Sequence, residues 1–176
     1  MKAYTESTTD PMDKDEQATP RAIVDRMQDV MGVRFAWDVC ATADNTVVPD
    51  RYYDKEMDAL SIAWTPPIRA LHGIEVLWMN PPYSALPAWT EKAMQEGLNG
   101  LIVVGCVPHM PSSRWFQKYV HNKAATIYMP DGRISFELDG KTRSGNPLPT
   151  CFPVWTPWQA QSSYQYFSRK LKLITP

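Results

Sequence analysis

The sequence predicts an α/β fold, a compact single domain whose sheet is flanked by helices. Short apolar runs at residues 33–39, 74–79 and 101–107 read as buried strands. The stretches at 19–32 and 85–98 carry apolar residues at helical spacing and so read as amphipathic helices between them. A chain of 176 residues fits one core and one domain.

Composition excludes several classes. Apolar content is 44%, and no run of 18 apolar residues exists to span a membrane. Residues 1–17 are polar and acidic, with no apolar core of a signal peptide. They are expected to form a mobile N-terminal segment ahead of a domain over 18–176. Cys40, Cys106 and Cys151 lack metal spacing, and two sit in apolar runs, so buried thiols in a reducing cytoplasm are expected, with no metal. Charge is divided unevenly. Residues 1–111 hold 9 Lys and Arg against 16 Asp and Glu; residues 112–176 hold 9 against 3. An acidic half suits a cationic ligand, and a basic half suits phosphates.

In chain order, Thr19 is expected to cap the first helix, with Pro20 in its first turn. Ala22, Ile23, Met27, Val30 and Met31 form its apolar face, and Gly32 stops it. The strand at 33–39 ends on Asp38-Val39-Cys40-Ala41. There a carboxylate followed by small residues suits a nucleoside ligand, and Ala41-Thr42-Ala43-Asp44-Asn45 stands where a glycine-rich loop would be expected. Tyr52-Tyr53 reads as a short edge. Asp54, Glu56 and Asp58 are alternate carboxylates, with Asp58-Ala59-Leu60 a ligand loop or a solvated acidic loop.

The run at 74–79 leads into Asn80-Pro81-Pro82-Tyr83. Prolines carry no N–H and end the ladder, which leaves Asn80 at the strand's carboxyl end, where α/β sheets bind ligands. These residue types suit an exocyclic amine, whose lone pair is delocalised into its ring. The Asn80 side-chain oxygen and the Pro81 carbonyl can each accept one N–H, and Tyr83 can stack on an extruded base.

The helix at 85–98 presents Leu86, Trp89, Ala93, Met94 and Leu98 on one face, with Gly97 and Gly100 expected to close it. Residues 101–107 form the best candidate for a fully buried central strand. Ser112 or Ser113 can cap a helix through Arg114, Trp115, Phe116, Tyr119 and Val120, and His109 lies in the loop before it. Residues 125–129 read as a strand, Asp131-Gly132 as a hairpin turn, and 133–138 as its returning strand. The polar loop at 139–146, with Lys141 and Arg143, can reach phosphates; an ordinary surface hairpin is the plainer alternative. Residues 151–155 read as the last strand before a basic tail.

Asn80-Pro81-Pro82-Tyr83 resembles the catalytic tetrapeptide of S-adenosylmethionine-dependent amino-methyltransferases at all four positions. The wider order of motifs resembles the phage-type DNA N6-adenine methyltransferases over roughly residues 17–155. The resemblance is carried by Ala18-Thr19-Pro20, Trp37-Asp38-Val39-Cys40-Ala41-Thr42, Asn45, Tyr53, Asp58-Ala59-Leu60 with Trp64, and the tetrapeptide. Val107-Pro108 leading to Arg114-Trp115-Phe116, and Gly132-Arg133-Ile134-Ser135-Phe136, complete it. It implies a Rossmann-like methyltransferase sheet, S-adenosylmethionine as cofactor and adenine in double-stranded DNA as acceptor. It implies Asn80, Pro81, Pro82 and Tyr83 as catalytic residues, and Thr19, Pro20, Asp38, Cys40, Ala41 and Asp58 around the cofactor. Arg114 and Arg133 become candidates for the DNA side beside Lys141 and Arg143. His109 departs from the pattern. The tetrapeptide also serves cytosine N4, RNA bases and glutamine amides, and a non-catalytic DNA-binding protein on the same fold is a further alternative. Recognition sequence and oligomeric state are left open by these residues.

Overall fold

The computed structural model describes residues 15, 17–64, 75–138, 140–142, 148–158 and 161–170. Helix α1, Arg21–Met31, is amphipathic; Val24, Met27 and Gln28 are buried. Gly32 ends it at φ 67°, a left-handed conformation that glycine adopts without steric cost. The buried Gln28 Oε1 then accepts the Phe35 N–H at 2.9 Å, which joins the end of the helix to the strand that follows.

Among the described residues nine short strands follow, in two sheets: β1 (Phe35–Asp38), β2 (Val76–Met79), β3 (Ile102–Gly105), β4 (Val107–Pro108), β5 (Thr126–Pro130), β6 (Glu137–Leu138), β7 (Lys141–Thr142), β8 (Thr150–Trp155) and β9 (Ser163–Phe167). The main sheet has the order β1-β2-β3-β8-β5-β9, with β4 also paired to β8. β1, β2 and β3 are parallel; β8 runs antiparallel between β3 and β5, and β9 is parallel to β5. Asp38 faces Trp78 in register, so the carboxyl ends of β1 and β2 lie side by side. This mixed, helix-flanked α/β sheet is consistent with a Rossmann-like methyltransferase fold.

Both faces of the sheet are covered, which is why β2 reads as a continuous apolar run rather than an alternating one. On one face Phe35, Val76, Trp78, Val104 and Phe152 meet Val24 and Met27 of α1. On the other, Leu77, Met79, Val103 and Ile127 meet two further helices, α2 (Leu86–Leu98) and α3 (Arg114–Tyr119), through Trp89, Ala93 and Phe116. Ser113 caps α3 by accepting the Phe116 N–H at 3.4 Å.

Several expectations are corrected. Thr19 does not cap α1. Pro20 occupies that position with no side-chain cap, because the Thr19 hydroxyl turns inward to Cys106 Sγ at 3.6 Å. Gly97 lies inside α2, where an added Cβ would sit 2.9 Å from Trp155 Cβ; it permits close packing rather than closing the helix. The apolar run at 101–107 is split at Cys106 into β3 and β4. Asp131-Gly132 is not a hairpin turn. The Asp131 carboxylate accepts from Ser168 and Arg169, and the Arg169 guanidinium lies against Gly132, so this corner fastens the end of β9. Those contacts hold the Asp131 carboxyl down at about 2, the Arg169 backbone N–H contributing most. The hairpin is instead β6–β7, with Gly140 at φ 69°. Nor is β8 the last strand: β9 follows it, and its exposed Tyr164 and Tyr166 hid it from an apolar-run criterion. Ile74, at the start of one predicted strand, lies outside the described residues, as do residues 1–14, residue 16 and Arg143.

Candidate active site

At the carboxyl ends of β1 and β2 lies a cavity of about 790 Å³. That volume is within the range of small-molecule and cofactor sites. Three parts of the chain make up most of its wall, and residues 15 and 17–19 with the β6–β7 hairpin complete it.

The first part is the loop after β1. Asp38 is 2% exposed, and both its oxygens are used: Oδ1 accepts the Cys40 N–H at 3.3 Å and Oδ2 the Val47 N–H at 3.0 Å. Burial pushes its carboxyl up to about 7, and the Val47 and Cys40 N–H groups pull partly the other way. Asp38 thus closes the loop over 40–47 onto the strand end. Within that loop the Asn45 side chain accepts the Thr42 N–H at 2.7 Å, and Ala41 N–H reaches the Tyr53 carbonyl. No residue from 41 to 45 has positive φ, which is why the loop forms without glycine. Ala41, Thr42, Asp44 and Asn45 line the cavity.

The second part is the loop at 53–60. Asp54 Oδ1 accepts the Glu56 and Met57 N–H groups, and Asp58 takes φ 44°, uncommon for a side chain other than glycine. Asp54, Lys55 and Asp58 line the cavity; Glu56 does not. This loop is pinned from below. Trp64 is fully buried, its indole N–H reaches the Ala59 carbonyl at 2.8 Å, and its backbone N–H reaches Glu96 of α2 at 3.1 Å. Glu96 is itself buried and paired with Lys92 at 2.6 Å.

The third part is the loop after β2. Asn80 and Pro82 line the cavity, and a 3₁₀ turn, Tyr83–Ala85, leads from them into α2. Asn80 Nδ2 donates to the Gln17 carbonyl at 2.9 Å, so the amide is oriented and its Oδ1 is the acceptor end. Tyr83 is half-buried against the core.

Of the residues singled out from sequence, Thr19, Asp38, Cys40, Ala41, Asp58, Asn80 and Pro82 meet at this one cavity. Pro20, Pro81 and Tyr83 adjoin lining residues without lining it themselves. Arg114 at the start of α3, Arg133 after β5 and Lys141 on β7 are exposed away from the wall, while Gly140 beside Lys141 is part of it. His109 also lies off the cavity, its ring packed edge-on to Phe116 and Tyr164, where burial lowers its pKa. Sequence reasoning missed Asp15, Gln17, Lys55, Glu137 and Leu138 in the wall. Gln17 and Glu137 engage neighbouring residues through their backbones, which no side-chain motif reports.

Charge in the wall is one-sided. Asp15, Asp44, Asp54, Asp58 and Glu137, with the partly ionised Asp38, stand against Lys55 alone among the described lining residues. The surface suits a cation better than a phosphate. The three cysteines are free thiols, and burial raises the pKa of each, that of Cys106 to about 12, so they are poor nucleophiles.

Comparisons with known proteins bear on the family. A DNA N-6-adenine-methyltransferase of Haemophilus phage HP1 is 31% identical over 133 residues, 75% of this chain and 72% of that protein. A DNA N-6-adenine-methyltransferase of Escherichia phage T1 is 25% identical over 144 residues, 81% of this chain and 56% of that protein. No solved structure matches the chain significantly. The family model described as DNA N-6-adenine-methyltransferase (Dam) matches residues 6–173, and the chain belongs to that family.

Proposed function

We propose that this protein methylates N6 of adenine in DNA by direct transfer, with S-adenosylmethionine in the cavity between the three loops. The observation that carries the reading is Asn80 at the cavity wall with its NH₂ group turned to the Gln17 carbonyl. An amide fixed that way presents an oxygen, which is what an amine N–H requires.

The wall fits the cofactor on its own chemistry. The cavity is large enough for a nucleoside with an amino-acid tail, and its carboxylates favour a sulfonium and an ammonium. When bound, S-adenosylmethionine supplies an electrophilic methyl group. Asp58, Thr19 and the small loop at 40–42 would hold it, and Asp38 would act by keeping that loop closed.

The chain's own residues then do the rest. The target adenine leaves the duplex, at a cost of a few kcal/mol, and stacks on Tyr83. Asn80 Oδ1 and the Pro81 carbonyl accept the two N6–H bonds and draw the nitrogen toward a tetrahedral shape with a usable lone pair. Holding the amine in line with the methyl converts an encounter into a positioned contact, worth about 7–11 kcal/mol in favourable cases. No covalent intermediate with a cysteine is needed, in keeping with the high thiol pKa values. DNA lies along the basic C-terminal part, with Arg114, Arg133, Lys141 and Arg143 as phosphate contacts.

Nucleosides from DNA incubated with the protein and labelled S-adenosylmethionine test this by mass spectrometry. Labelled N6-methyladenine, abolished in Asn80→Ala, is expected. Label in N4-methylcytosine instead, or no cofactor binding at all, would overturn the reading.

A further inference from the structure

We infer that Asp15 and Ser84 are positioning residues for Asn80, acting by fixing the carbonyl that orients its amide. The inference rests on the proposed role of Asn80 as the group that meets the adenine amine.

Asn80 owes its orientation to a backbone carbonyl, that of Gln17, 63 positions away in sequence. A carbonyl can hold an amide only if it is itself held. Two anchors flank Gln17. On its C-terminal side, Ala18 and Glu137 exchange both backbone hydrogen bonds, 2.8 and 2.9 Å, as an isolated antiparallel bridge to β6. On its N-terminal side, the Asp15 carboxylate accepts two bonds from one residue, the Ser84 N–H at 3.2 Å and the Ser84 hydroxyl at 2.5 Å. A short bond to an ionised acceptor is among the stronger hydrogen bonds a side chain makes.

Ser84 is the residue after the catalytic tetrapeptide, and it lies in the 3₁₀ turn that carries Tyr83. Asp15 and Gln17 therefore grip both ends of the tetrapeptide, Ser84 beyond Tyr83 and Asn80 at its start. The side-chain contact is needed because Pro81 and Pro82 have no N–H with which to tie this loop down. Since Asp15, Gln17, Asn80, Pro82 and Glu137 share one cavity wall, the grip borders the reacting centre. A displacement of about 1 Å in such a group can cost about 100-fold in rate.

Two measurements on the full chain test this. In steady-state methyl transfer, Ser84→Ala and Asp15→Ala are expected to lower kcat about tenfold or more, with KM for S-adenosylmethionine changed less than about twofold. Ser84→Thr, which keeps the hydroxyl, recovers most of the loss. Independently of activity, the side-chain amide signal of Asn80 in a 15N–1H NMR spectrum, assigned by its loss in Asn80→Ala, is expected to shift toward that of a free amide in Ser84→Ala and Asp15→Ala, and not in Ser84→Thr. Wild-type kcat together with an unmoved Asn80 signal in both alanine variants would overturn the inference. If the wild type transfers no methyl group, the proposed function fails, and the amide signal alone decides whether Asp15 and Ser84 orient Asn80.

Discussion

Asn80 Nδ2 donates to the Gln17 carbonyl across 2.9 Å, and this one bond fixes the orientation of an amide on the cavity wall. A side chain free to rotate would present its NH₂ group as readily as its oxygen, and only the oxygen can accept from an amine. Asn80→Ala removes the acceptor together with the bond to Gln17. We expect kcat to fall on the order of 10²–10³-fold, the scale for losing one polar contact made at a reacting centre. Cofactor affinity, measured by calorimetry, should change little. Normal turnover in the mutant would remove Asn80 from the mechanism.

Asp38 gives the protein a pH-dependent term. Its carboxyl is raised to about 7 by burial, against an unfolded value near 4. Between those values the folded chain holds a proton that the unfolded chain has released. Stability contributed by this group is therefore greatest below about 4 and declines as pH rises toward about 7. Asp38→Asn removes the titration but presents an NH₂ to one of the two N–H groups now accepted by the carboxylate. We expect the variant to be less stable than wild type, with the gap narrowing by a kcal/mol or more between pH 5 and pH 8. Urea melts at both values check this, and a gap independent of pH would refute it.

Glu96 joins the floor of the cavity to α2. Its carboxylate takes both the Trp64 N–H and the Lys92 ammonium while almost fully buried. Glu96→Ala strands both partners. A loss of about 3 kcal/mol is expected, as for other broken buried pairs. Because Trp64 carries the Ala59 carbonyl above it, cofactor affinity should fall as well. Urea denaturation and calorimetry on the same variant separate the two effects.

Gly97 is a packing position. An added Cβ would meet Trp155 Cβ at 2.9 Å and its carbonyl carbon at 3.2 Å, and β8 backbone has little room to retreat from α2. Gly97→Ala, although favourable for a helix in isolation, is expected to cost about 1–3 kcal/mol. A rise in urea midpoint would show that the contact relaxes freely.

The DNA side can be tested by salt. Lys141 on β7 is exposed beside Gly140, which touches the cavity, and Arg114 is exposed at the start of α3. Substituting either with Ala should weaken DNA binding across sequences. It should also reduce the slope of log affinity against log salt concentration by about one. An unchanged slope would place that side chain off the phosphates.

The sequence by itself determined the elements whose signal is local. The apolar run of β2 and the two prolines that end it marked where Asn80 stands. Helical spacing marked α1 and α2, and Ser112-Ser113 before Arg114 marked the start of α3, where Ser113 is the cap. Carboxylates and small residues after β1 marked one wall of the cavity. What escaped was whatever depended on partners distant in the chain. Thr19 reads as a cap until Cys106, 87 positions on, takes its hydroxyl. Asp131-Gly132 reads as a turn until Arg169 is packed against it. β9 reads as polar because it is an edge strand with one side to solvent. Above all, the orientation of Asn80 came from tertiary structure alone. It rests first on backbone groups of Gln17, Ala18 and Glu137, which every residue type carries alike, and the Asp15–Ser84 contact beside them joins residues 69 positions apart, so only the fold could decide which of them meet.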